Sequence, residues 1–178
     1  MSIDPEEPYS VAKGYVQAAY AMMTNPHRMQ LEDDTSLFMA FHMLCGFAAE
    51  LYLKAFLVKK GYSEAQLRKR ELRHDLVQLR ALCHSSGLFN TGADQLVDLL
   101  AQKHKTFEFR YMKKSSEYRT MDLQLIFLAF SSLDQIVDKI IGASASRGKM
   151  PRGGWTFPDD GPWRLPGLML TATPPNPR

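Results

Sequence analysis

The sequence predicts an all-α fold: an up-and-down bundle of four to five helices followed by an irregular proline- and glycine-rich arm. Three observations predict it. Apolar residues recur at spacings of three and four in several long segments, the period of one helix face. No run alternates apolar and polar residues for long enough to suggest a strand. Finally, residues 143–178 hold seven prolines and five glycines, while the first 142 residues contain only three prolines. The chain therefore divides into a helical body, residues 1–142, and an arm, residues 143–178, without regular structure of its own.

The elements follow in order. Pro8-Tyr9-Ser10 opens a first helix to about Met23, and Thr24-Asn25-Pro26 closes it, because the residue before proline disfavours helical backbone. Thr35 or Ser36 caps a second, long helix to about Lys60, stopped by Gly61. Residues 63–73 form a short charged helix or turn. A third helix runs from His74-Asp75 to about Ser86, ended by Gly87, and a fourth spans roughly Gly92 to Lys105. The fifth is expected from about Glu117 to Ile141, ended by Gly142. With Met121, Leu125, Leu128, Ala129, Ser132 and Ile136 on one face, it is the expected antiparallel partner of the second helix.

Composition narrows the class. The 178 residues are 45 % hydrophobic and 23 % charged, enough apolar material for one domain core and too much for a disordered, collagen-like or mucin-like chain. Two cysteines, Cys45 and Cys83, lie in helical segments and do not make a disulfide scaffold. The acidic start, Met-Ser-Ile-Asp-Pro-Glu-Glu, lacks a secretory pattern, so a cytoplasmic protein is expected. The stretch from Leu37 to Ala49 is almost wholly apolar, but Glu50 and Lys54 interrupt it short of the about 20 residues a membrane span needs. Of 22 basic and 19 acidic residues, five and two fall in the arm, leaving 17 of each in the body. A neutral body is not a general polyanion binder, although local basic patches remain open to it. The arm also carries Trp155, Phe157, Trp163 and Leu168-Met169-Leu170, aromatic and apolar residues that need a surface to dock on.

Four groups of residues could carry chemistry. Glu50 and Lys54 stand four apart on one face of the apolar second helix, so they must pair, reach partners or open to a cleft. His74-Asp75-Leu76 opens the third helix, where Asp75 would cap exposed backbone N–H groups and His74 would sit at the rim. Phe107-Glu108-Phe109-Arg110-Tyr111 surrounds a guanidinium with aromatics. That arrangement suits a phosphate or base reader, and equally a tether in which Arg110 pairs with an acid such as Glu50. Arg68, Lys69, Arg70, Arg73 and Arg80 form a basic run, read as a solvated face or an RNA-contacting one. Glu50, Lys54, His74 and Arg110 are expected to meet in one polar cluster. Metal readings are weak: Glu71-x-x-His74 has di-iron spacing but no second copy, while His42 with Cys45 and Cys83-His84 are isolated pairs. There is no Gly-rich phosphate loop, Gly-x-Ser-x-Gly elbow or zinc ribbon, so neither metal nor cofactor is expected.

The order of these pieces, Glu50-Leu-Tyr-Leu-Lys54, then Gly61, then His74-Asp75-Leu76-Val-Gln-Leu79, then Phe109-Arg110-Tyr111, resembles the HEPN domain family over roughly residues 10–141. The resemblance implies a helical bundle, commonly a homodimer, in which Glu50, Lys54, His74, Asp75, Arg110 and Tyr111 lie near one another. Branches of that family are metal-independent RNases of toxin–antitoxin or defence systems; others accompany nucleotidyltransferases or act as non-catalytic binding modules. The RNase branches carry an arginine followed four to six residues later by a histidine. Here Arg110 is followed by Tyr-Met-Lys-Lys-Ser-Ser-Glu, and no histidine succeeds it. His104 lies six residues before Arg110, on the preceding helix, and is set aside as its partner. The expected function is therefore binding of nucleotide, RNA or a protein partner such as a nucleotidyltransferase or antitoxin, without efficient catalysis. Metal-independent endoribonuclease action through Arg110 or His74 is the alternative, and interaction through the aromatic arm a third.

Overall fold

The structure is a computed structural model that describes residues 4–30, 33–113, 115–147, 154–155 and 169–172. It is an all-α helical bundle. Six α-helices follow one another: α1 (Glu6–Met23), α2 (Thr35–Lys59), α3 (Glu64–Leu67), α4 (Leu76–Ser85), α5 (Thr91–Lys105) and α6 (Leu123–Ile141). A short strand, β1 (Glu117–Thr120), precedes α6, and another, β2 (Met169–Ala172), follows it.

The starts of α3, α4, α5 and α6 are set by side chains that accept from otherwise unpaired N–H groups. α1 and α2 begin at Pro5 and Asp34 without a side-chain cap, so the cap expected from Thr35 or Ser36 is not formed. Ser63 accepts from the Gln66 backbone, and Gln66 returns the bond to complete a capping box. Asp75 accepts from Gln78, Asn90 from Ala93, and Asp122 from both Gln124 and Leu125. The last of these corrects the sequence expectation. Asp122 is a far better cap than Glu117, so the final helix begins at Leu123 and the residues before it become a strand. Tyr118 anchors that strand: its ring is fully buried and its hydroxyl donates to the Lys113 carbonyl.

The expectation that no strand exists is corrected with it. β1 and β2 pair in parallel, Glu117 opposite Met169 through Thr120 opposite Ala172. A four-residue strand is too short for a period-two pattern to register above background. The arm thus contributes regular structure at 169–172, and Trp155 lies against the core, its N–H donating to Ser131 Oγ. Phe157, Trp163 and Leu168, also expected to dock, lie outside the described residues.

α2 is the axis of the bundle, packed by α1, α4, α5 and α6. That surrounding explains its composition: Phe38, Phe41, Tyr52, Leu53, Phe56 and Leu57 point in different directions yet are all buried. Its most extensive packing is with α1, which offers the stripe Tyr9, Ala12, Val16, Ala19 and Met23, rather than with α6 as expected. By length and composition α2 alone among the described helices could cross a membrane, but its apolar faces are mostly covered by the other helices. Close approach elsewhere depends on one glycine: a Cβ on Gly92 of α5 would stand 2.6 Å from the Ala129 carbonyl of α6.

Candidate functional site

Glu50 is the centre of the site. It sits on the middle of α2, 4 % exposed, with Phe47 one turn before it and Lys54 one turn after. Lys54 Nζ donates to Glu50 Oε1 at 2.5 Å. The other oxygen, Oε2, accepts from two imidazoles, His74 Nδ1 at 2.9 Å and His104 Nε2 at 2.8 Å. An ionised carboxylate can only accept, so both ring nitrogens facing it carry the hydrogen. Burial alone would raise the Glu50 carboxyl. The hydrogen bond from His104, the Lys54 charge and hydrogen bond, and the His74 bond outweigh burial and hold it at about 2.

Each imidazole arrives by a distinct local device. His74 lies between α3 and α4, one residue before the Asp75 cap, and its backbone is left-handed at φ 63°. For a non-glycine residue that conformation costs about 1–3 kcal/mol. His104 projects from α5, continuing the buried row Ala93, Leu96, Val97 and Leu100. It can approach α2 only because residue 46 is glycine: a Cβ there would stand 2.4 Å from His104 Nδ1.

Aromatic rings close the site. Phe47 meets the ring of His104 at 5.2 Å and that of His74 at 6.3 Å. Phe107, the only other described non-glycine residue with left-handed backbone (φ 58°), meets His74 at 4.9 Å. The Arg110 guanidinium then lies over both, 5.3 Å from the Phe47 centroid and 5.0 Å from that of Phe107. Arg110 is exposed and has no ion pair among the described residues. The tether expected between Arg110 and Glu50 is therefore not formed, because Lys54 and the two histidines already occupy that carboxylate.

Of the residues the sequence singled out, the structure brings Glu50, Lys54 and His74 into direct contact and Arg110 into the same aromatic frame. Asp75 adjoins His74 in the chain, but its carboxylate caps α4 and accepts from Lys105 at 2.7 Å. That pairing holds its carboxyl below the usual range despite partial burial. Tyr111 is 72 % exposed and contributes no contact to the cluster. The sequence position of His104, before Arg110 on the preceding helix, argues against the two sharing a site, and the structure corrects this. The turn after α5, reversed at Phe107, folds Arg110 back over the helix end and brings both there. A histidine continuing a buried apolar row, with glycine on the facing helix, is the pattern that points to it.

Beside the site, Lys69, Arg70 and Arg73 are exposed and run directly into His74, while Arg68 pairs with Glu64. No protein-family model, curated protein or solved structure matches the chain.

Proposed function

We propose that this chain is a HEPN-like helical module that binds an anionic ligand, the phosphate of a nucleotide or RNA, at the rim formed by Arg110, His74 and Lys54. Arg110 is the observation that carries this reading. A guanidinium lying over two rings, exposed, and without a carboxylate partner among the described residues is prepared for a bidentate anion. The only carboxylate of the cluster is already satisfied, so it adds little repulsion toward an incoming phosphate. The exposed Lys69, Arg70 and Arg73 extend the positive rim along the segment that leads to His74, which favours RNA over a single nucleotide. Binding rather than turnover is the role, since both imidazole N–H groups facing Glu50 are committed to it.

The test is fluorescence anisotropy with labelled single-stranded RNA in the presence of EDTA, competed with ATP. Binding should weaken about tenfold, or roughly 1.4 kcal/mol, in Arg110→Ala and fall steeply with salt. Equal affinity of the native chain and Arg110→Ala would overturn the reading. One observation favours a second, metal-independent endoribonuclease reading: His104 supplies a second imidazole although no histidine follows Arg110. RNA cleavage in EDTA that disappears in Arg110→Ala would put that reading first.

A further inference from the structure

Beyond anion binding, we infer that Glu50, His74 and His104 form a site for a single borderline divalent cation, zinc first. One ligand atom from each residue, Glu50 Oε2, His74 Nδ1 and His104 Nε2, lies within 4.8 Å of the other two. Metal–ligand bonds of about 2.0–2.2 Å at tetrahedral angles place neighbouring donor atoms roughly 3.3–3.6 Å apart. The two nitrogens stand 2.9 and 2.8 Å from the oxygen, closer than that. An outward displacement of about half an ångström would therefore admit an ion. His74, 19 % exposed in its side chain and carried on a connecting segment, can supply it, while His104 is fixed against Gly46.

The donor set selects the ion class. Two imidazoles and one carboxylate suit zinc, cobalt, nickel or iron(II), and do not suit calcium or magnesium, which require oxygen ligands. Three protein ligands leave a fourth position for water or an exogenous ligand. Lys54 occupies Oε1, so the carboxylate would ligate through Oε2 alone, with the ammonium as its outer hydrogen-bond partner. Each imidazole would ligate through the nitrogen that now faces Glu50, so the hydrogen on that nitrogen must leave it and the ring hydrogen must sit on the other nitrogen.

Backbone strain is the independent argument. The two left-handed non-glycine residues among those described, His74 and Phe107, are both at this site and touch each other. Strain at His74 offsets much of what one hydrogen bond to a charged group returns. Glu50 also already has Lys54 and His104. A third donor gives the strained segment little surplus; a metal bond gives it a large one.

The experiment uses tag-free full-length protein, stripped with chelator, exchanged into metal-free buffer without added anions, and titrated with Co²⁺ and then Zn²⁺. One ion per chain should bind, with visible ligand-field bands for Co²⁺ that Zn²⁺ abolishes, and zinc should raise Tm. His74→Ala removes a ligand without touching a helix interior, and should weaken binding about a hundredfold or more. The surface pair His84–Asp94 remains in that variant, so weak binding there cancels in the comparison. Titrations indistinguishable between the two proteins, or less than one ion per native chain, would overturn the proposal and leave an ion-pair network. The RNA assay contains chelator and this one contains no RNA, so each reading fails separately.

Discussion

Two of the carboxylates buried in this bundle, Glu50 and Asp134, are driven in opposite directions. Glu50 of α2 is 4 % exposed and Asp134 of α6 is fully buried, and each has a lysine nearby, Lys54 at 2.5 Å and Lys13 at 3.6 Å. Yet the Glu50 carboxyl is held at about 2, while burial pushes that of Asp134 up from its ordinary value. The difference lies in the company. Glu50 receives one ammonium and two imidazole N–H groups at close range. Asp134 receives the Tyr52 hydroxyl at 2.8 Å and feels the like charge of Asp138 one turn along. In return, the Tyr52 and Tyr9 hydroxyls are pushed up, first by burial and then by Asp134. Burial pushes both carboxyls up, and the number and sign of the partners decide whether that push is overcome.

The contrast can be broken at its strong end first. Glu50→Ala would leave Lys54 and two imidazoles crowded without their acceptor, at an expected cost of roughly 2–4 kcal/mol in chemical denaturation. A loss under about 0.5 kcal/mol would place the cluster with exposed ion pairs of little consequence.

Acid separates the two carboxylates by sign. The folded-state value of Glu50 lies below its unfolded one, so its contribution of about 3 kcal/mol is complete above about pH 4.5. It is lost as pH falls toward 2. Asp134, raised in the folded state, opposes stability at neutral pH and relieves that opposition on acidification. Urea unfolding across this range should therefore show a steeper acid loss in Asp134→Asn than in the native chain. An identical profile would mean that the two groups do not titrate in opposite senses.

Gly46→Ala sharpens the comparison from the packing side. The new Cβ would push His104 off Glu50, with an expected cost of about 1–3 kcal/mol and weakened RNA binding, read by thermal unfolding and anisotropy. Unchanged stability would mean that His104 has another place to go. The smallest effect belongs to Asp134→Asn at neutral pH. An amide oxygen can still accept from Tyr52, and a disfavoured buried charge disappears, so the change should stay within about 1 kcal/mol of zero.

Most of the helical frame was legible in the sequence because caps and stops announce themselves locally: Asp75, Gly61, Gly87 and Gly142 each act within their own turn. Half of the site was legible for the same reason. Glu50 and Lys54 are four apart on one apolar helix, and His74 precedes a cap. His104 and Gly46 were not, since their relation is a contact between two helices 58 residues apart that no local spacing encodes. The site at Arg110 depended on left-handed backbone at Phe107, a residue type for which nothing in the sequence announces that conformation. The parallel strands escaped because four residues of β1 find their partner only beyond α6.

That strand pairing has a consequence for how the molecule opens. β1, α6 and β2 form a parallel crossover, and returning Met169 to Glu117 closes about 28 residues of chain beyond Ile141, an entropic cost of about 3 kcal/mol. Among the described residues, four residue pairs in register and the hydrogen bonds of Trp155 with Ser131 offset it. Unzipping β2 is therefore a sub-global event well below full unfolding, and amide protons of β1 should exchange with solvent long before those at the centre of α2. Since β1 leaves the turn that carries Phe107 and Arg110, the anion rim lies on the part of the fold that breathes, while Glu50 lies on the part that does not.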